Sequence, residues 1–143
     1  MYKKEIYYDG DYTCIKNLRE EIKQISLEYK FYDLFKNNIE ICVGELFTNI
    51  IKHGQKTEVP DKKIKVILNL TSSYFEIIFE YFGDIPSEEK IKQVSKIQEI
   101  FDVIELSESG RGLFIMNKLM DEVKFDKKEN FCRAIMKKSL ENF

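Results

Sequence analysis

The sequence lacks the features of a membrane or secreted protein. No stretch approaches the roughly 18 uncharged apolar residues that a membrane-spanning helix needs. Residues 1–5 become charged almost at once, so the start lacks the apolar region of a signal peptide. We therefore expect a cytoplasmic protein without a membrane partner.

Cysteine is also scarce. The three cysteines, Cys14, Cys42 and Cys132, lie far apart, and none has the spacing of a metal site. Each lies among apolar neighbours, and their number is odd. We expect reduced core residues, as suits a cytoplasmic protein, rather than disulfides or metal ligands.

The chain also lacks an excess of either charge. Its 23 basic and 25 acidic side chains leave a net charge of −2, so we expect no direct nucleic-acid partner. Hydrophobic residues at 43% and charged residues at 34% are typical of a folded globular protein. With 143 residues and no repeats, low-complexity tracts or linkers, the sequence predicts one domain over residues 1–143.

One apolar-periodic run, from about Asp33 to Gly54, organises the chain. Its polar residues Glu45, Asn49 and His53 are spaced by four, so they turn only about 80° around a helix. The adjacent apolar stripe consists of Ile39, Val43, Leu46 and Ile50. A carboxylate that can accept a proton and an amide oxygen that can bind Mg²⁺ would thus border a cleft. The spacing also fits an ordinary amphipathic helix.

A glycine-bracketed segment, residues 109–116, is predicted to be a turn that opens another apolar helix. Glycines let the backbone approach a ligand closely, and the N–H groups at a helix start can bind an anion. The segment also fits a tight loop whose glycines serve packing alone. Residues 87–109, which precede it, carry many charges and begin with Ser87 as a helix cap. They predict a lid over the ligand or, alternatively, a surface helix and loop.

The other helices and strands are predicted from the spacing of apolar residues and from the turn-forming residues between them. They are an edge strand at 4–8, a helix at 15–29, a strand pair at 63–70 and 74–82, and a terminal hairpin at 123–125 and 131–137. This order predicts an α/β (α+β) two-layer sandwich with helices on a mixed, mainly antiparallel sheet. Alternation places Tyr81 on the sheet face that the helices cover.

Together the two motifs resemble the ATPase superfamily of gyrase, Hsp90, histidine kinases and MutL. Within it, the chain is most similar to the anti-sigma-factor serine kinases of bacteria. Glu45-x3-Asn49-x3-His53 resembles the N-box of that family. The second glycine box is matched by residues 110–113 and 119–123. The resemblance covers nearly the whole chain and implies the left-handed, Bergerat-type ATP-binding sandwich.

The resemblance implies a role for each matching residue. Glu45 would orient or deprotonate the nucleophile, and Asn49 would hold the Mg²⁺ that bridges the phosphates of ATP. Backbone amides would meet the phosphates at Gly110, Arg111, Gly112 and Leu113. Lys52, about 20° from the N-box line, either neutralises phosphate charge or is solvated. His53 either touches the ligand or stabilises the helix end.

The first glycine box departs from the family pattern. The family places an aspartate two residues before a glycine, where its carboxylate accepts a hydrogen bond from the adenine amino group. Aligned on Gly83, that position holds Tyr81. Glu80 is one residue away but points to the opposite side of the strand, and Asp84 lies beyond the glycine. The second glycine of the box is also missing.

The resemblance implies an ATP-binding regulator that forms a homodimer and sequesters a sigma factor. Such a protein phosphorylates a serine of a small antagonist (anti-anti-sigma) protein with Mg-ATP. Glu45 and Asn49 favour this function. Tyr81 favours an alternative, a protein-binding module on the same fold that no longer uses ATP. A hydrolase that uses water as its nucleophile has only Glu45 in its favour.

Overall fold

The computed structural model describes residues 1–54, 63–97, 106 and 108–140, with the side chains of 53, 54, 108 and 109 excepted. Its first elements are β1 (Tyr2–Tyr8), α1 (Thr13–Glu28), α2 (Asp33–Asn49) and a π-helical turn (Ile50–Gly54). They are followed by β2 (Ile64–Leu70), β3 (Tyr74–Tyr81), α3 (Glu88–Ser95), α4 (Glu108–Leu119), β4 (Glu122–Lys127) and β5 (Cys132–Ser139). The element order predicted from the sequence is confirmed.

The five strands form one sheet in the order β1-β2-β3-β5-β4. The four pairs between these strands are all antiparallel. The predicted mainly antiparallel character is confirmed, and the sheet is antiparallel rather than mixed. β1 lies at one edge, as predicted, and β4 lies at the other. In the register of β3 and β5, Tyr81 lies opposite Cys132.

The side chains on the helix-covered face of the sheet form the core, as the alternation predicts. Eight buried residues come from the central hairpin: Ile64, Val66, Leu68, Leu70, Phe75, Ile77, Phe79 and Tyr81. The three cysteines are free and buried, which confirms their prediction as core residues. Burial raises the pKa of the Cys42 thiol to about 12, so this cysteine stays protonated and unreactive at neutral pH.

Aromatic contacts fix how α2 lies on the sheet. Phe31, just before α2, packs 5.7 Å from the ring of Phe75 near the start of β3. Phe47, near the end of α2, packs edge-on at 5.2 Å from the ring of Phe79. Helix α2 therefore runs in the same direction as β3. Its last turn approaches the end of β3, where Tyr81 lies.

Helix α4 runs antiparallel to α2. Its first turns lie against Glu45, near the end of α2, where a Cβ on Gly112 would meet the Glu45 carboxylate. At its other end, the Lys138 ammonium donates to the Leu119 carbonyl at 2.7 Å and lies 5.6 Å from the ring of Phe35. The glycine box is therefore placed beside the N-box helix.

The first part of the predicted lid is the short helix α3. The Ser87 hydroxyl accepts a hydrogen bond from the Lys90 N–H at 3.1 Å, which confirms the predicted helix start. Val94 is buried and anchors α3 against α4. Residues 98–105 and 107 lie outside the described residues, so a lid over that length stays a prediction. No helix in the described part of the chain is long and apolar enough to cross a membrane.

We expect the backbone amides of α3 to exchange quickly in the protein without ligand. Only Val94 of this short helix is fully buried, so few apolar contacts oppose local opening. Hydrogen exchange measured with and without Mg-ATP checks this, and ligand should slow exchange in α3 more than in α1. Strong protection of α3 without ligand would mean that it is ordinary packed structure.

Candidate functional site

The two sequence motifs meet where α2 and α4 touch. A Cβ built on Gly112 would lie 2.7 Å from Oε2 of Glu45 and 3.5 Å from Nδ2 of Asn49. Real Cβ atoms are not found 2.7 Å from an oxygen, so only glycine fits against Glu45 without displacing the carboxylate. Glu45 and Asn49 are both partly exposed, so the place where α2 and α4 touch is open to solvent at its rim. We call this place the 45/112 seam.

The glycine box does not form the predicted turn before a helix. α4 already begins at Glu108, so Gly110 and Gly112 lie within its first two turns. Only the first few N–H groups of a helix lack a partner within it. Gly112 and Leu113 lie beyond them, so their N–H groups are not presented to a phosphate in this conformation. Packing against Glu45 and Asn49 outweighs the low helix propensity of glycine here.

The residues of the box differ in their exposure to solvent. Leu113 is buried in the core, and Gly110 is buried as well. Arg111 is exposed and its guanidinium donates to the carbonyl of Leu106 at 3.3 Å. Arg111 therefore ties the start of α4 to the end of the predicted lid segment.

The helix that carries the N-box changes from α-helical to π-helical geometry after Asn49. The prediction that α-helical geometry continues to Gly54 is wrong, because residues 50–54 form a π-helical turn. Its wider i→i+5 pattern breaks the 100° steps that placed Lys52 and His53 on the N-box line. Lys52 is exposed, and the side chain of His53 lies outside the described residues. The structure therefore brings Glu45 and Asn49 to the seam but does not place these two side chains there.

Tyr81 is the residue that the resemblance aligns with the adenine-reading aspartate of the family. It is 1% exposed, and its hydroxyl donates to the carbonyl of Asp84 at 3.0 Å. Burial raises the pKa of Tyr81 well above its usual value, and the nearby Cys132 and Asp84 add to this. The neutral hydroxyl can still accept a hydrogen bond while it donates this one. Glu80 faces the other side of the sheet, as predicted, and pairs in register with Lys65.

A side chain of the neighbouring strand β5 holds the main chain at Gly83. The Cys132 thiol donates to the Gly83 carbonyl at 3.1 Å, one strand away from Tyr81. Two buried side chains, Tyr81 and Cys132, thus fix the main chain of residues 83 and 84. Sequence reasoning placed Cys132 in the core but missed this contact, because nothing local in the sequence pairs it with Gly83.

Arg19 of α1 is another residue that sequence reasoning missed. Its Nε donates to the carbonyl of Glu40 at 3.3 Å, and its guanidinium packs on Gly44. A signal was present, because a glycine inside an apolar helix often marks a close approach. Arg19 supports α2 one turn before Glu45.

If the protein transfers a phosphoryl group, as the resemblance implies, Gly112→Ala should slow that transfer without unfolding the protein. Alanine favours a helix over glycine by up to about 1 kcal/mol, whereas the new methyl group must push the Glu45 carboxylate aside. A displaced catalytic group can cost about a hundredfold in rate. Melting temperature and transfer rate together measure the two effects.

The matched control is Gly44→Ala. Its methyl group would meet the flexible end of Arg19 instead of Glu45, so the transfer rate should stay near that of the wild type. Equal losses of rate in both variants would show that the 45/112 seam has no special role.

The fold and this site define a known class of protein. Residues 11–137 match the histidine kinase-like ATPase domain, and the chain belongs to that family. The sequence resemblance to this ATPase superfamily is thereby confirmed.

Two serine-protein kinases named RsbW are among the relatives of this chain. The RsbW of Bacillus licheniformis is 30% identical over 96 residues, which make up 66% of this chain and 58% of that protein. The RsbW of Bacillus subtilis (strain 168) is 28% identical over 101 residues, 70% of this chain and 62% of that protein. The chain thus spans less than two thirds of the length of either relative.

A solved structure shows the same fold at low identity. It is a chain in the crystal structure of the SiaB-SiaC complex from Pseudomonas aeruginosa, with a TM-score of 0.63 and 6% identity. The match covers 96% of this chain and 89% of the other. At this identity the likeness shows the fold alone.

Proposed function

We propose that this protein is an ATP-dependent regulator of the anti-sigma-factor type that phosphorylates a serine of an antagonist protein. One observation carries the proposal: Gly112 lies directly against Glu45 and Asn49, although the two motifs are distant in sequence. The similarity to serine-protein kinases RsbW supports the same reaction.

Glu45 is the base in this proposal. Its partly exposed carboxylate can accept the proton of an incoming hydroxyl at the rim of the seam. A positioned base contributes about a hundredfold or more to such a step. Gly112 packs directly against this carboxylate.

The residues present fit Mg-ATP in their chemistry. Asn49 supplies a neutral amide oxygen, a ligand that Mg²⁺ accepts. Mg²⁺ usually keeps water and phosphate ligands beside one or two protein groups, so one asparagine is enough. When bound, Mg-ATP would supply the phosphoryl group.

The described conformation is too tight for that ligand at the seam. A Cβ at position 112 would already overlap Glu45, so a metal with its oxygen shell at about 2.1 Å per bond does not fit beside it. We infer that the first turn of α4 moves away from α2 or unwinds when nucleotide binds. Such unwinding would also give Gly112 and Leu113 free amides.

The partners are part of the proposal. A sigma factor and a small antagonist protein are the proteins expected from the resemblance, and a homodimer is the expected assembly. Binding of nucleic acid is not proposed, since the net charge of −2 offers no attraction to phosphate backbones.

A second function is favoured by Tyr81. Its ring is buried and its hydroxyl is bonded to the Asp84 carbonyl, so the residue fills the place where an aspartate would read adenine. If it excludes the base, the protein is a binding module that acts through protein contacts alone.

We test the proposal with Asn49→Ala and thermal unfolding. Mg-ATP at a hundred times its dissociation constant should stabilise the wild type by about 2.7 kcal/mol. In Asn49→Ala, Mg-ATP should stabilise the protein little more than metal-free ATP does. Metal-free ATP should stabilise the wild type and Asn49→Ala by the same amount. A wild type whose melting temperature does not respond to Mg-ATP would contradict the proposal and favour the binding module.

A further inference from the structure

Helix α4 is fixed to the sheet at its C-terminal end by hydrogen bonds to β5. The Lys138 ammonium donates to the Leu119 carbonyl at 2.7 Å, and a cation is favourable at a helix C-terminus. Asp121, two residues after α4, donates its N–H to the Lys137 carbonyl at 3.0 Å. Its carboxylate accepts the N–H of Ser139. This end of α4 therefore cannot move without breaking bonds to β5.

The middle of α4 is fixed by its packing in the core. Leu113 and Met116 are buried, and Met120 is buried just after the helix. Protein interiors are close-packed, so they resist shifts of such side chains. Core packing and the bonds to β5 together hold residues 113–119, which we call the anchor.

Residues 108–112, which precede the anchor, are held in a different way. Two of the five are Gly110 and Gly112, and glycine is the least favourable residue of a helix after proline. Gly112 lies against the carboxylate of Glu45 and the amide of Asn49. Contact with α2 therefore supports a helical state that the glycines themselves disfavour.

The Gly112 contact covers the two groups on which the proposed reaction depends. Glu45 is the proposed base and Asn49 is the proposed ligand of Mg²⁺, and a Cβ at position 112 would lie 2.7 Å from the Glu45 carboxylate. A metal with oxygen ligands at about 2.1 Å needs more room than this contact leaves. Gly112 therefore has to move away by about 2 Å or more before a metal binds beside Asn49.

A tilt of the whole helix and a local unwinding differ in what they disturb. Leu113 adjoins Gly112, so a rigid tilt that lifts Gly112 by about 2 Å lifts Leu113 out of the core by nearly as much. Such a tilt would also strain the bond that holds Leu119 to β5. Unwinding of residues 108–112 breaks only a few helical hydrogen bonds, and the two glycines favour it. Local unwinding is therefore the movement that the packing permits.

We propose that residues 108–112 form an autoinhibitory helix-to-loop switch. Without ligand the segment is helical and closes on Glu45 and Asn49; with Mg-ATP it unwinds into a loop while the anchor stays in place. The inference rests on the proposed function and adds its regulation, because the base is fully uncovered only when nucleotide is bound. Since Arg111 bonds the carbonyl of Leu106, unwinding also releases Leu106.

NMR spectroscopy of the whole protein with and without Mg-ATP tests this division of α4. The ¹³Cα chemical shifts of residues 110–112 report whether the segment is helical, and the methyl shift of Met116 reports its packing in the core. We expect saturating Mg-ATP to abolish the helical shifts of residues 110–112. Residues 114–119 should keep theirs, and the Met116 methyl shift should hardly change. Calorimetry on the same protein shows that the nucleotide is bound.

Gly110→Ala should weaken the binding of Mg-ATP by about fivefold, because alanine favours a helix over glycine and so stabilises the closed form. The matched control is Asn117→Ala, at an exposed position of the anchor, where alanine also raises helix propensity. The anchor is helical in both states. Asn117→Ala should therefore raise the melting temperature of the free protein and leave its affinity for Mg-ATP unchanged.

The inference is wrong if residues 110–112 keep their helical shifts in a protein that binds Mg-ATP. A large change of the Met116 methyl shift would contradict it as well, since the whole helix would then move. Equal affinities of Gly110→Ala and the wild type would also count against it, and the wild-type spectra decide alone if Gly110→Ala does not fold. A wild type that gives no heat with Mg-ATP would refute the proposed function itself, and the inference with it.

Discussion

Tyr81→Asp should tighten the binding of ATP by about tenfold, because a carboxylate accepts the hydrogen bond of the adenine amino group more strongly than a phenol. The same change should also destabilise the free protein by about 3 kcal/mol, since a charged group replaces a buried aromatic ring. The ring is 1% exposed and bonded to the carbonyl of Asp84, so both the packing and the hydrogen bond are lost. Calorimetry and thermal unfolding measure the two effects.

Tyr81→Phe is the matched control. It keeps the ring and removes only the hydroxyl, so it should cost about 1 kcal/mol of stability and bring no gain in ATP affinity. Discrimination against GTP should improve in Tyr81→Asp alone, because guanine offers an acceptor oxygen where adenine offers an amine. If the wild type already binds ATP tightly and selectively, another group such as the Asp84 carboxylate reads the base.

Glu45→Gln should lower the rate of phosphoryl transfer by about a hundredfold, the usual contribution of a general base. The amide keeps the size of the side chain and its place beside Gly112, so the affinity for Mg-ATP should hardly change. Rates under saturating Mg-ATP, together with calorimetric affinities, separate the two effects.

Glu40→Gln is the control for Glu45→Gln. Glu40 lies on the same helix, and its backbone carbonyl bonds Arg19. Five residues before Glu45, it is turned about 140° around the helix from that residue. It should transfer phosphate as fast as the wild type. A Glu45→Gln protein that keeps its full rate would show that Glu45 is an ordinary partly exposed residue of an amphipathic helix.

The strands and the main features of the site follow from local sequence. Alternation in β2 and β3 fixes which side chains are buried, because a slip of one residue would turn Phe79 and Tyr81 to solvent. Helical spacing places Glu45 and Asn49 on one side of α2. The position of Tyr81 on the covered face is confirmed by its burial.

Features that depend on contacts between distant residues do not follow from local sequence. The π-helical turn after Asn49 leaves no pattern in the short run of residues 50–54. The helical state of the glycine box results from packing against Glu45, whereas glycine alone disfavours a helix. The bond from the Tyr81 hydroxyl to the Asp84 carbonyl depends on how the chain turns after β3.

Calorimetric titration of the wild type with Mg-ATP tests the central claim most directly. The proposed function predicts saturable heat with a dissociation constant at or below about 1 mM, and weaker binding when Mg²⁺ is removed, because Asn49 acts through the metal. No heat at millimolar Mg-ATP would contradict the claim. Tyr81 would then fill the base site, and the protein would act as a binding module.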